Sequence, residues 1–346
     1  MEFLTEYGLF IAKTITLLVA LAVAVAIIAS TASKGQDGDD DHIDVVKVND
    51  RLDHYKDTLT ATLLDSAELK KLKKSEKKKL KEAKKSQAKS DESEDQKKRV
   101  FVLDFDGDVK ASETEILRKL ITVVLTKASS NDEVVVKLES SGGMVHSYGL
   151  ASSQLSRITQ KEIPLTICVD KVAASGGYMM ACVADKILAA PFAIIGSIGV
   201  IAQIPNFSKL LKKSNIDYEM HTAGEYKRTL TMFGENSDKG REKFVEELED
   251  THDLFKSFVE EHRPSLDVNK VATGEIWFGK RAIDQNLVDE LKTSDQYLSE
   301  LAEEHDVYEL SISPTKTLME KLGINIQASV ESAFNRVFSV ISARYF

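Results

Sequence analysis

The stretch "IPLTICVDKVAASGGYMMACVADKILAAPFAIIGSIGVIA", Ile163 to Ala202, decides the fold. It opens on an apolar run, Ile163–Asp170, that reads as a strand. A lone Ser175 then stands between two alanines and two glycines and opens the helix that follows. From Lys186 the chain stays apolar but is broken by Pro191, Gly196 and Gly199. That tail is long enough to suggest a membrane span. The breakers and the strand-like runs between them point instead to buried strands and loops.

The same grammar appears upstream. "RVFVLDFDGDV", Arg99–Val109, is a β-type run ending in a turn at Gly107. "SETEILRKLITVVLTKA", Ser112–Ala128, has helical period, with Ser112 and Glu115 placed as a capping box. "DEVVVKLESSGG", Asp132–Gly143, is a second strand ending in glycines, and "MVHSYGLASSQLSRITQ", Met144–Gln160, a second helix. Strands alternating with helices of this length predict an α/β fold with a largely parallel sheet. From Asn206 onward the chain reads as mostly helical. Phe244, Leu248, His252, Leu254, Phe255 and Phe258 are spaced along one face of a long charged helix.

Two strand ends carry one device, Ser140-Ser141-Gly142-Gly143 and Ser175-Gly176-Gly177. In a parallel sheet, ligands bind outside the carboxyl ends of the strands. Glycine lets backbone N–H groups approach a ligand with no Cβ in the way. The N–H of Gly176 with that of Gly143, or Gly142, forms a natural oxyanion pair, worth about 3 kcal/mol per donor. Yet SGG is also a common turn, and serine a common N-cap. A G-x-S-x-G elbow fits only in part, because Ala173 holds the first glycine position.

A serine nucleophile needs a base. The seven histidines are His42, His54, His146, His221, His252, His262 and His305. Only His146 and His221 fall near the candidate turns, and neither has an evident carboxylate to orient it. A lysine is the other option, provided it is desolvated. "HTAGEYKRTLTMFGENS" offers Lys227 in a mixed, glycine-containing loop, where by pattern alone it is one lysine among many.

The rest of the chain frames this unit. It has 346 residues, 42% hydrophobic and 29% charged, with a net charge of −9 that argues against a general nucleic-acid role. Cys168 and Cys182 both lie in apolar stretches and read as reduced core thiols, with no metal spacing. Thr14–Ala29 is uncharged and, with "GLFIAK" before it, is long enough to cross a bilayer. A cleaved signal peptide competes, with Ala24-Val25-Ala26 resembling a cleavage site. The acidic flank "MEFLTEYG" favours an uncleaved anchor. An acidic tether follows, then "ELKKLKKSEKKKLKEAKKSQAK", Glu68–Lys89, read as part of a long solvated helix. It is a spacer or a contact for anionic lipid heads. The C-terminal Thr317–Phe346 is amphipathic and suits packing or subunit contact.

The catalytic part closely resembles the signal peptide peptidase A family of serine proteases. The matching pieces are "VLDFDGDV", "LESSGGMV", "DKVAASGGYMMAC", "GSIGV", "AGEYKRTLTMF" and "VATGEIWFGKRAIDQNLVDEL", in order from about Val100 to Leu291. The resemblance implies a ClpP/crotonase-like β-β-α spiral. It implies Ser175 as nucleophile, Lys227 as general base, and Gly143 and Gly176 as oxyanion donors, with Gly142 a further candidate. No cofactor and no metal are implied. Neither is a second SGG-plus-YK copy present, so both dyad members lie in one domain. The implied protein is a homo-oligomeric endopeptidase of the bacterial inner membrane, its catalytic domain on the periplasmic side, acting on peptides or unfolded segments. The expected domains are an anchor over 1–33, a tether and Lys-rich spacer over 34–98, a serine protease domain over 99–310 and amphipathic helices over 311–346. A non-proteolytic membrane scaffold of the same fold, or an acyl-CoA enzyme of the crotonase type, would be the competing classes.

Overall fold

The structure is a computed structural model that describes residues 42–65 and 97–313, with a few isolated positions between 7 and 75. Most of the anchor read over 14–29, most of the Lys-rich spacer and the amphipathic C-terminus lie outside the described residues. Among the described residues no helix is long and apolar enough to cross a membrane. Asp44–Ser311 forms one compact unit, and the segments on either side group as a second, few of whose residues are described.

The unit begins with β1 (His42–Lys47) and α1 (Val48–Leu63). Strand and helix then alternate: β2 (Arg99–Gly107), α2 (Thr114–Leu125), β3 (Glu133–Ser140) and α3 (Val145–Thr159). Next come two short strands, β4 (Leu165–Val169) and β5 (Val172–Ala174), and the helix α4 (Gly176–Ala181). A second pair of strands follows, β6 (Lys186–Ala189) and β7 (Ile194–Gly196), then α5 (Ser208–Lys213) and the long α6 (Asp238–His262). The end of the unit holds α7 (Val268–Val271), β8 (Ile276–Phe278), α8 (Gly279–Ala282), β9 (Glu290–Leu291), α9 (Ser294–Glu304) and β10 (Asp306–Ser313).

The main sheet runs β1-β10-β2-β3-β4-β6-β9. A second arm leaves it at the end of β3 and runs β3-β5-β7-β8. Pairing from β10 to β9 and from β3 to β7 is parallel, and β7–β8 is antiparallel. The predicted α/β class with a largely parallel sheet is therefore present. The expected third strand divides at Asp170-Lys171 into β4 and β5, which pair with different neighbours. This split turns the chain from the main sheet into the second arm just before Ser175.

Period accounts for the helices. In α2, Leu117, Leu120, Ile121 and Val124 are buried, and in α3 Tyr148, Ala151, Ser152, Leu155 and Ile158. These are i, i+3, i+4, i+7 sets that lay one stripe on the sheet, each large apolar side chain stabilising by about 1.5–3 kcal/mol. The expected capping box is not formed. The first helical residue is Thr114 and Glu113 holds the cap position. Ser112 instead donates its hydroxyl to Asp108 at 2.8 Å, and Glu115 pairs with Arg118. Asp108 lies in the preceding turn and outcompetes the helix end for the serine.

The stretch read as tether and spacer contributes to the folded body between residues 44 and 63. Asn49 of α1 donates to the carbonyls of Ala302 and His305 at 2.8 and 2.9 Å and accepts the N–H of Val307 at 2.9 Å. Val48 is buried with Val100, Val102, Val135 and Val307. Cys168 and Cys182 are buried free thiols, as read from their apolar neighbours, and burial pushes the Cys168 thiol up to about 12.

Candidate active site

Ser140↔Ala173 pairing sets the ends of β3 and β5 side by side. The two glycine turns that follow these strands are consequently in contact. A Cβ on Gly142 would lie 2.7 Å from the Gly176 nitrogen and 2.7 Å from Ser175 Cβ. A Cβ on Gly177 would meet the Ser140 carbonyl oxygen at 2.5 Å. Only glycine allows this approach, which explains why both turns carry the same residues.

Ser175 has φ 52° and ψ −119°, a conformation that L side chains rarely adopt. It is held there by its N–H donating to the Gly196 carbonyl at 2.8 Å and by the Met179 N–H donating to its own carbonyl at 3.0 Å. Strain of this kind amounts to about 1–3 kcal/mol and concentrates at functional turns. Ser175 is the N-cap residue of α4, yet its side chain caps nothing. The bland reading as a capping serine therefore loses its support. The hydroxyl has no hydrogen-bond partner among the described residues and lines a pocket of about 70 Å³. Val145, Met179, Ile201 and Phe255 give this pocket apolar walls, and Gly143 and Gly176 lie at its edge.

The candidate donors separate. Gly142, at φ 89°, gives its N–H to Ser140 Oγ at 3.1 Å. Among the described residues no protein group accepts from the N–H of Gly143 or Gly176. Gly143 is fixed from behind, because a Cβ there would fall 2.1 Å from the Val109 carbonyl oxygen. The next N–H, that of Met144, donates to the same carbonyl at 2.9 Å. Tyr148 underlies both turns. Its ring would lie 2.4 Å from a Cβ on Gly176, and its hydroxyl meets Ser140 Oγ at 2.5 Å and the Asp108 carbonyl at 2.7 Å. Burial holds this phenol above its ordinary range, against a smaller opposing effect of the Ser140 hydrogen bond.

Lys227 lies on an exposed irregular segment and does not line the Ser175 pocket. Its neighbours are tied down: Glu225 pairs with Lys239 at 2.6 Å, and the Lys239 and Lys243 ammonium groups lie 5.9 and 5.4 Å from the Tyr226 ring. Lys227 itself has no carboxylate partner among the described residues. His146 and His221 are exposed, and His221 faces Glu219 at 3.5 Å rather than Ser175. Sequence reasoning missed Tyr148, Met179 and Thr251 as parts of this region; Thr251 lines the pocket from α6 beside Phe255. Phe255 alone had a signal, its place in the apolar face of α6. That helix is fastened at its far end by Arg263, which donates to both carboxylate oxygens of Asp289 at 2.7 and 2.8 Å.

A strained serine at a strand-to-helix turn, beside two unengaged backbone donors and an apolar pocket, is an arrangement suited to acyl-transfer hydrolysis. The chain belongs to peptidase family S49: the model of the family's N-terminal region matches residues 2–155 and that of the peptidase region residues 157–308. It is a peptidase of the serine type, and the family resemblance expected from the motifs holds. A protein of Haemophilus influenzae described as "Probable protease SohB" is 50% identical over 96% of this chain and 95% of its own. One of Buchnera aphidicola from Acyrthosiphon pisum, with the same description, is 48% identical over 98% of both. Among solved structures, a 1510-N membrane-bound stomatin-specific protease mutant with a substrate peptide aligns at 14% identity and TM-score 0.40, over 67% of this chain and 98% of that one.

Proposed function

We propose that the protein is a serine endopeptidase working through a Ser175–Lys227 dyad. The observation that carries this reading is the strained Ser175, its hydroxyl without a partner among the described residues, against a pocket lined by Gly143 and Gly176, whose N–H groups no described protein group accepts. Neutral Lys227 takes the hydroxyl proton, and Ser175 Oγ attacks a peptide carbonyl. The N–H groups of Gly143 and Gly176 hold the oxyanion. The leaving amine departs with the proton from Lys227, and water hydrolyses the acyl-enzyme by the same steps in reverse. Gly142 drops out as a donor, since its N–H is already given to Ser140.

Lysine serves as a base near neutral pH only when removed from water. The segment carrying Lys227 is rich in exposed apolar residues, among them Ile204, Leu210, Ile216, Met220, Tyr226 and Met232. Such a surface marks an interaction site. We assign it to contact between copies of this chain, which would cover Lys227 and enclose the site. The region read as an anchor, 1–33, would hold the assembly at the bacterial inner membrane with the peptidase body on the periplasmic side. Substrates would then be peptides and unfolded or membrane-derived segments, and the apolar pocket walls suit them.

A fluorophosphonate probe tests the dyad. The expected result is labelling of wild type at Ser175, none in Ser175→Ala, and a loss of about a hundredfold or more in labelling rate and turnover in folded Lys227→Ala. Full peptidase activity in purified Lys227→Ala would remove the lysine from the mechanism. Absence of any labelling in wild type would favour a non-proteolytic scaffold.

A further inference from the structure

The two oxyanion donors belong to different elements, and their mutual geometry must be set by something. Gly176 opens α4 and is fixed by the strained turn at Ser175. Gly143 lies in an irregular loop, held on its far side by the Met144 N–H bond to the Val109 carbonyl at 2.9 Å. Behind that loop stands a buried polar group with no evident packing purpose. Tyr148 and Ser140 are 0% and 2% exposed in the middle of the apolar interface between α3 and the sheet. Buried hydroxyls are costly unless fully paired.

Here one order satisfies both hydroxyls, with the Gly107 carbonyl, 3.3 Å from Ser140 Oγ, as the weaker alternative acceptor. The Tyr148 hydroxyl donates to the Asp108 carbonyl at 2.7 Å. Its oxygen is then the acceptor for the Ser140 hydroxyl at 2.5 Å. Ser140 Oγ in turn accepts the Gly142 N–H at 3.1 Å. Three hydrogen bonds thus run from the turn after β2, through α3, to the glycine loop. They end on the N–H that immediately precedes that of Gly143. The same tyrosine ring supports Gly176 from beneath.

We propose that Ser140 and Tyr148 are positioning residues of the oxyanion hole. By capturing the Gly142 N–H they turn the Gly143 N–H toward the pocket, and the Tyr148 ring fixes Gly176 relative to it. This rests on Gly143 and Gly176 being the oxyanion donors. The relay acts through the direction of a donor that is used only when negative charge develops on the carbonyl oxygen. It therefore governs turnover and leaves ground-state peptide binding nearly untouched.

The experiment compares full-length wild type, Tyr148→Phe and Ser140→Ala on a peptide substrate, with active sites counted by fluorophosphonate titration. Tyr148→Phe keeps the ring under Gly176 and removes only the hydroxyl. The expected result is a fall in kcat per titrated site of about tenfold or more in each variant, with KM within about twofold. Affinity for a peptide aldehyde, which forms an oxyanion on Ser175, falls by the same factor. The double variant loses no more than the more damaged single one, because both residues act through one hydrogen bond. A merely structural role would lower the melting temperature and the fraction of titratable sites but leave kcat per site alone; that result overturns the relay. If instead wild type is not labelled at Ser175, the parent reading fails and the relay with it. Labelling at Ser175 with unchanged kcat per site in both variants sinks the relay alone.

Discussion

Ser175 is set apart by its backbone before its side chain is considered. A serine at φ 52° is strained, and its hydroxyl forms no cap bond that would compensate. Replacement by glycine should relieve the strain and cost only glycine's added chain entropy. Ser175→Gly is therefore expected to raise stability by about 1 kcal/mol while abolishing turnover, as read by urea unfolding beside a peptidase assay. A destabilised Ser175→Gly would mean that the turn is not strained. In the linear sequence Ser175 was an ambiguous residue, as apt to cap a helix as to react. Three-dimensional placement of the second glycine turn favours the reactive reading, because Ser140↔Ala173 pairing brings together residues 33 positions apart. Tyr148 could not have been read in advance. Its ring begins an ordinary apolar stripe, and its hydroxyl partner at Asp108 is 40 positions away.

At the scale of elements, the strand–helix alternation from Arg99 to Cys182 was legible, since hydrophobic period and glycine punctuation are local. What the pattern missed are features set by distant partners. Ser112 left its helix for Asp108, and the short β1 and α1 found hydrogen-bond partners in β10 and the end of α9. The entry to β3 shows how such joints are held. Asp132, with only 3% of its side chain exposed, accepts from the Arg99 backbone and guanidinium and from the Ser129 N–H and hydroxyl. Burial pushes its carboxyl up, but the Arg99 and Ser129 hydrogen bonds outweigh this and bring it down to about 2. Because the folded value lies below the unfolded one, the group stabilises above about pH 4. That contribution is lost as pH falls toward 2, and amounts to about 2 kcal/mol. Asp132→Asn should remove about that much at pH 7 and flatten the acid limb of the stability profile between pH 4 and 2. An unchanged acid limb, followed by circular dichroism, would count against the assignment.

At the scale of the whole molecule, the segment before α6 exposes a run of apolar side chains that an isolated chain should not present to water. Leu210 and Ile216 are 59% and 53% exposed, so changing them should not disturb the folded unit. Detergent-solubilised full-length protein is expected to sediment as an oligomer. Leu210→Asp with Ile216→Asp should sediment as a monomer and react slowly with the fluorophosphonate probe. Wild type sedimenting as a fully active monomer would dismiss the assembly and its effect on Lys227.

The sheet order also carries a statement about synthesis. β10 inserts between β1 and β2, so the edge of β2 has no neighbour until Asp306 and its successors leave the ribosome. Val100 and Val102, both fully buried in the finished sheet, remain uncovered on that side for most of translation. An unpaired, apolar strand edge is a template for mispairing with other chains. Nascent peptidase should consequently stay inactive and chaperone-dependent until β10 arrives. Emergence of β10, rather than emergence of Ser175, then times the appearance of proteolytic activity.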